Sequence, residues 1–465
     1  MAVSTQSAFA AHAKRKGRLL LVTAAPPSAA SRGEGKTSCT LALLDALRLA
    51  GASACALLRQ PSMGISAAGA KGGASGVGAS SLREAVEADF GLHGEMLRVG
   101  AYQNLLVSFA EKEIEGEGEI LLPRASDVPT KYLRKVRAGG VEESYVLTPT
   151  GEMEQIRVLS KSQSELEASI GEVTAAKKGG KFIRGKDFPL CSAWPVLESA
   201  CRISFLSTLR GSPVLMYCGP FANVSLGIPG LSALDLALCE YDFVLMEAGY
   251  GFDMGMQKYM DAAFKRQSPL PCAALAVARR GSIEGQLGWR YLAGLRCIRR
   301  MGIFPIPVLN AFEGESRRPP LPGSLVLNPA KDGEKELEDL GFSLLSRLER
   351  AQPAAKKPYK GSLPLLSRIS YVCSSFYGVS PGRVRFTKGF KSSYLASCAQ
   401  AKAEGLDLED FTLNMVKSPS SLTDNDFEKF SKRTVTVRKI SLNTGSKVAN
   451  VRVTSAPTAF LPRVV

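Results

Sequence analysis

Gly17-Arg18-Leu19-Leu20-Leu21-Val22-Thr23, a loop of Ala, Pro and Ser, Gly33-Glu34-Gly35-Lys36-Thr37-Ser38, and the run Ser38–Ala50 decide the fold. The apolar run Leu19–Val22 does not alternate, so it reads as a strand buried on both faces. Leu41, Leu44, Ala46, Leu47 and Leu49 recur at helical spacing, and Gly51 is a natural stop. Between strand and helix the glycines let backbone N–H groups turn toward an anion, and the helix amino terminus adds partial positive charge. Gly33, Glu34, Gly35, Lys36, Thr37 and Ser38 are therefore candidate nucleotide-binding residues. Lys36 is placed to reach the β and γ phosphates of ATP, and the Thr37 hydroxyl to reach magnesium. The strict phosphate-loop pattern asks for Gly at position 30, where this chain has Ala30.

Working outward, Ala54–Leu58 is a second strand, and Val214–Tyr217, Phe243–Met246, Ala273–Ala278 and Ile306–Leu309 continue the series. Strand, loop, helix and strand in this order predict an α/β fold: a parallel sheet core of the phosphate-loop NTPase kind, helices on both faces, and a smaller α/β carboxy-terminal region. The division expected is a basic segment at 1–17, a nucleotide-binding core at 18–316, and the smaller region at 317–465. The last holds helices near Leu363–Tyr377 and Ser392–Ala403 and strands at Thr434–Ile440 and Lys447–Thr454. Residues 64–81, rich in Gly, Ala and Ser, read as a linker or as a loop whose backbone approaches a ligand. Residues 111–186 are charged and weakly periodic, and read as a divergent or partly disordered insertion.

Composition narrows the function classes. No apolar run is long enough to span a membrane. With two histidines, a histidine-rich metal site is excluded. The ten cysteines form no C-x-x-C pair, which suits a reducing compartment. Net charge is +16, but Lys and Arg fall in brief clusters without aromatic interleaving, so nucleic acid is not the expected partner. The first acidic residue is Glu34, preceded by Lys14, Arg15, Lys16 and Arg18 among Ala and Ser. That composition resembles a transit peptide and gives the mitochondrial matrix as the expected location, with the cytoplasm as the alternative.

Further segments, in order, resemble one family. Arg59-Gln60-Pro61-Ser62-Met63-Gly64 is similar to the R-E-P-S-L-G segment of formate–tetrahydrofolate ligases, and Lys71–Gly78 to their K-G-G-A-A-G-G-G loop. Ala88-Asp89-Phe90-Gly91-Leu92-His93 is similar to E-D-I-N-L-H. Gly219-Pro220-Phe221-Ala222-Asn223 resembles G-P-F-A-N, and Glu247–Gly255 resembles E-A-G-F-G-A-D-L-G. Leu309-Asn310-Ala311-Phe312 resembles A-I-N-[KR]-F, and Thr434–Arg438 with Phe460-Leu461-Pro462 the closing strands and G-L-P. The resemblance implies an ATP- and magnesium-dependent ligase, with a monovalent cation as a further cofactor, that makes formyl phosphate and passes the formyl group to tetrahydrofolate. It implies a homo-oligomer with small-molecule substrates. It makes Arg59, Lys71 and Asp89 the expected catalytic residues, Asn310 a further nucleotide-site residue, and Gly219, Pro220, Phe221, Glu247 and Asp253 the expected substrate-binding residues.

The departures lie mostly in the folate half. Gln60 replaces a Glu, and Ser282 and Glu284 stand where the family has Lys and His. Pro329 stands where the family stacks an aromatic ring on the pterin, and proline supplies no such platform. Trp289 and Phe312 are the aromatic residues available to take its place. Three readings follow: an active ligase; an inactive ATP-binding homologue serving as a structural or assembly subunit of a protein complex; and an ATP-dependent ligase with another acceptor.

Overall fold

The computed structural model describes residues 3–9, 14–27, 33–61, 75–90, 94–126, 135–138, 141–220, 224–351, 363–418 and 420–453. Its centre is a nine-stranded sheet. In chain order the strands are β1 (Ser4–Ser7), β2 (Arg18–Ala24), β3 (Ala54–Leu58), β4 (Arg202–Ser207), β5 (Pro213–Met216), β6 (Phe243–Glu247), β7 (Ala273–Ala278), β8 (Phe304–Asn310) and β9 (Leu325–Leu327). They lie side by side as β1-β4-β5-β3-β6-β2-β7-β8-β9. From β5 to β9 every pairing is parallel; at one edge β4 runs against the rest, pairing antiparallel with both β5 and β1. The parallel core expected from sequence is present, and β2, which feeds the phosphate loop, sits between β6 and β7.

The helix Lys36–Leu49 is buried at every position from Cys39 to Leu47. It lies between the sheet and the helix Glu334–Leu348. There Gly341 lets the two backbones meet: a Cβ on Gly341 would lie 2.0 Å from the Ala46 carbonyl oxygen. Each leucine buried in this layer contributes about 1.5–3 kcal/mol relative to exposure, so the loop rests on a rigid helix. The chain beyond residue 317 is divided: β9 and Glu334–Leu348 belong with the large sheet. A separate sheet holds β10 (Val384–Phe386), β11 (Thr412–Val416), β12 (Val435–Asn443) and β13 (Val448–Val453), ordered β10-β12-β13-β11.

Where the charge pattern suggested a divergent or partly disordered insertion, the described residues of 111–186 carry regular elements over most of their length. The helices Gly94–Ile114, Glu152–Leu159 and Gln163–Gly171 and the strands Thr174–Lys178 and Lys181–Arg184 build a unit with its own apolar core around Tyr102, Leu106, Ile156 and Leu166. The weak periodicity in sequence has a physical source. Glu152–Leu159 buries all of its residues, including Glu152, Glu154 and Arg157, so the charged positions give no outward face. Among the described residues no helix is long and apolar enough to cross a membrane.

Candidate active site

The carboxyl ends of the parallel strands converge on the phosphate loop, the edge at which open α/β sheets bind ligands. Gly33 and Gly35 take φ of +110° and +76°, a region costly for other residues, and Gly35 caps the helix Lys36–Leu49. Asn310, at the end of β8, donates from its amide to the Glu34 carbonyl at 2.9 Å, and a Cβ on Gly35 would lie 2.2 Å from that amide nitrogen. Asn310 thus holds the loop's shape. The Glu34 carboxylate is tied to the end of β7: it accepts the Arg279 N–H and the Ser282 hydroxyl, each at 2.7 Å. Burial pushes the Glu34 carboxyl up, against the pull of those two hydrogen bonds.

On the other flank, Glu247 ends β6. The Thr37 hydroxyl donates to one of its oxygens at 2.7 Å, and Arg59, following β3, meets the other at 3.2 Å. Arg59 and Glu247 side chains are only 10% and 9% exposed. Lys36 stands in the same charged group. Burial lowers its pKa, Glu247 raises it and Arg59 lowers it further. Residues at the ends of four different strands therefore meet at the loop.

The remaining expected residues divide. Asp89 ends the short helix Ala85–Asp89 and accepts the Ser75 hydroxyl at 3.0 Å. Gly219 and Pro220 are buried, and the Gly219 N–H goes to Glu154 at 2.7 Å. Asp253 is buried against Lys417 at 2.5 Å. Lys71 and Phe221 lie outside the described residues. Glu284, which sequence set against a lost basic residue, points instead to Arg280 at 2.5 Å. Of the two aromatic candidates, Trp289 is covered by the Arg433 guanidinium 3.3 Å from its ring centre. Phe312 is 40% exposed, with the Arg279 guanidinium 4.2 Å from its ring centre, beside Asn310 and Glu34.

Sequence reasoning missed the groups behind Arg59 and Gly219. The Gln60 amide donates to Glu95 at 2.6 Å, and buried Arg157 joins Glu95 at 3.5 Å and Glu154 at 2.7 Å. Burial raises the Glu95 carboxyl to about 7, with Arg157 opposing. The one signal available was Glu154 and Arg157 three residues apart, which is also what a solvated helix shows.

A model of the formate–tetrahydrofolate ligase family matches residues 2–288. The formate–tetrahydrofolate ligase of Bifidobacterium longum (strain NCC 2705) is 38% identical over 474 aligned residues, covering 97% of this chain and 94% of that protein. The chain belongs to the formate–tetrahydrofolate ligase family. Proteins of the same name from Hyphomonas neptunium and Myxococcus xanthus are 29% and 26% identical over 82% and 93% of this chain, and 76% and 86% of their own. Membership places the chain among ATP-dependent ligases of one-carbon metabolism, as its motifs implied, and the inactive-homologue reading gains no support from these relatives.

Proposed function

We propose that the chain joins formate to tetrahydrofolate at the expense of ATP, with the nucleotide on the loop Gly33–Ser38. The observation that carries this reading is the contact of Thr37 with Glu247, with Arg59 on the second carboxylate oxygen, at the amino end of the phosphate-loop helix. A hydroxyl and a carboxylate 2.7 Å apart are hard oxygen donors of the kind magnesium takes. When bound there, the ion would neutralise charge on the β and γ phosphates.

In this reading Lys36 and the loop N–H groups bind the phosphates, and Glu34, Ser282 and Asn310 keep the loop in shape. Formate attacks the γ phosphorus and ADP leaves; the folate amine then attacks the formyl carbon and phosphate leaves. Arg59 offers a planar fork of donors to the acyl phosphate. Asp89 is positioned by Ser75 to take the amine proton. Phe312, exposed and backed by Arg279, stands as the pterin platform that Pro329 does not provide.

The test is ATP-, formate- and tetrahydrofolate-dependent release of ADP and formation of formyltetrahydrofolate. Glu247→Gln is expected to lower kcat/KM by about two to three decades, the usual loss for one desolvated charged contact. Wild-type protein that binds ATP yet shows no formate-dependent turnover would leave the inactive homologue as the better account.

A further inference from the structure

The stretch that enters the phosphate loop ends in Pro26-Pro27. Proline has no backbone N–H, so these residues present only carbonyls, and those must find donors elsewhere. The Ala25 N–H still bonds to the Val277 carbonyl of the sheet, but the two proline carbonyls that follow take a side-chain donor. Their donor is Arg290, in the helix Gly288–Arg300. Its Nη2 lies 3.1 Å from the Pro26 oxygen and 3.4 Å from the Pro27 oxygen. Its Nη1 donates to the Ser420 carbonyl at 2.9 Å and to Asp426 Oδ2 at 3.1 Å. The two side chains are 4% and 5% exposed. Asp426 in turn accepts the Leu422 and Thr423 N–H groups and the Thr423 hydroxyl, each at 2.7 Å. The indole of Trp289 donates to its carbonyl at 3.2 Å.

A second pair reinforces the first. Lys417, at the end of β11, meets Asp253 on the loop after Glu247. That loop lies against the same proline: a Cβ on Gly251 would lie 3.1 Å from the Pro26 Cα. Segment 420–426 of the carboxy-terminal region therefore grips the stem of the phosphate loop directly, through one guanidinium that serves both.

We infer that Arg290 and Asp426 are positioning residues for the nucleotide, acting through the Pro26-Pro27 stem. This rests on the assignment of ATP to the loop Gly33–Ser38. Neither residue touches a reacting atom. Both fix where the loop begins, and a shift of the stem would misplace the backbone donors that follow it.

The test compares ATP dissociation constants, by calorimetry, and KM against kcat for Arg290→Lys and Asp426→Asn, each with its melting temperature. Lysine keeps the charge but cannot reach the Pro26, Pro27 and Ser420 carbonyls and the Asp426 carboxylate together. Both variants are expected to weaken ATP binding about tenfold and raise KM for ATP to match, with kcat at saturating ATP within about threefold of wild type. Arg368→Lys serves as the comparison. Arg368 is equally buried but bonds to the Phe411, Leu408 and Glu409 carbonyls and faces Asp261, with neither Pro26 nor Pro27 among its partners, so its variant should lower the melting temperature and leave ATP affinity unchanged. Folded Arg290→Lys and Asp426→Asn proteins with wild-type affinity would overturn the inference. Hydrogen exchange on wild-type protein tests it without any substitution: ATP should slow exchange of the Leu422 and Thr423 amides several-fold, and unchanged exchange would also overturn it. Lys36→Ala separates the two levels of the argument. If it too keeps full ATP affinity, the nucleotide assignment falls, and the clamp with it.

Discussion

Lys36 concentrates the electrostatics of the site in one side chain. Burial lowers its pKa from the ordinary lysine value, and Glu247 only partly restores it. Polyphosphate arriving on the loop adds negative charge beside it and so favours the protonated amine. ATP binding at alkaline pH should therefore take up a proton. Calorimetric titrations near pH 9 in two buffers of different ionisation enthalpy should give different apparent heats for wild type, and the same heat for Lys36→Met. Buffer-independent heats in wild type would remove Lys36 from the phosphate site. Phe312 makes a second residue-scale prediction. If it carries the pterin, Phe312→Ala weakens tetrahydrofolate by about 1 kcal/mol beyond lost burial. Trp289→Phe, at a ring already covered by Arg433, leaves folate affinity unchanged. The reverse order of effects would move the platform to Trp289.

At the scale of elements, the least legible stretch in sequence proves to bury charged groups inside one short helix. Glu152 opens the helix Glu152–Leu159 and accepts the Gly445 N–H at 2.8 Å and the Ser446 N–H at 3.2 Å, which joins the middle region to the turn between β12 and β13. Burial raises its carboxyl to about 7, against the pull of those two N–H groups. The folded state then holds a proton that the unfolded chain releases above its ordinary pKa near 4.5. Stability from this group is full below that value and is lost as pH rises toward 7. Glu152→Gln keeps an acceptor and needs no proton, so it should gain up to about 3 kcal/mol at pH 8 and almost nothing at pH 4.5. Urea unfolding at both pH values checks it, and an equal effect at the two would refute the buried-proton account. The strands of the large sheet were readable because parallel strands covered on both faces are unbroken apolar runs: Ala54–Leu58 and Ala273–Ala278 fall where sequence put them. The phosphate loop was readable because glycine and lysine have few other uses between such a strand and a helix. Arg290, Asp426, Glu154 and Arg157 were not, because a buried ion pair and a solvated one are written with the same residues.

At the scale of the whole molecule, buried polar contacts join the large sheet, the middle region and the carboxy-terminal sheet, beside an apolar core that the two larger sheets share. Asn414 on β11 donates to the Val224 carbonyl at 2.6 Å and to Asn450 on β13 at 2.7 Å, and Thr174 of the middle region meets Glu404 at 2.5 Å. Lys417 with Asp253, Arg290 with Asp426, and the Leu413 N–H on Asp261 belong to the same seam. Separating the sheets would leave these groups buried without partners or force them into water, at about 1–3 kcal/mol each and more for the charged ones. The carboxy-terminal sheet is thus not expected to melt on its own. Scanning calorimetry should show one transition, with calorimetric and van't Hoff enthalpies in agreement. ATP touches only the large sheet in the proposed reading, yet it should raise that single transition as a whole. At a hundredfold excess over its dissociation constant the stabilisation is about 2.7 kcal/mol. With an unfolding entropy of about 2.1 cal/mol/K per residue, that moves the midpoint of a chain this long by about 3 °C. Two resolved peaks, with ATP moving only one, would show that the seam does not couple the sheets, and that the clamp on the phosphate loop acts locally.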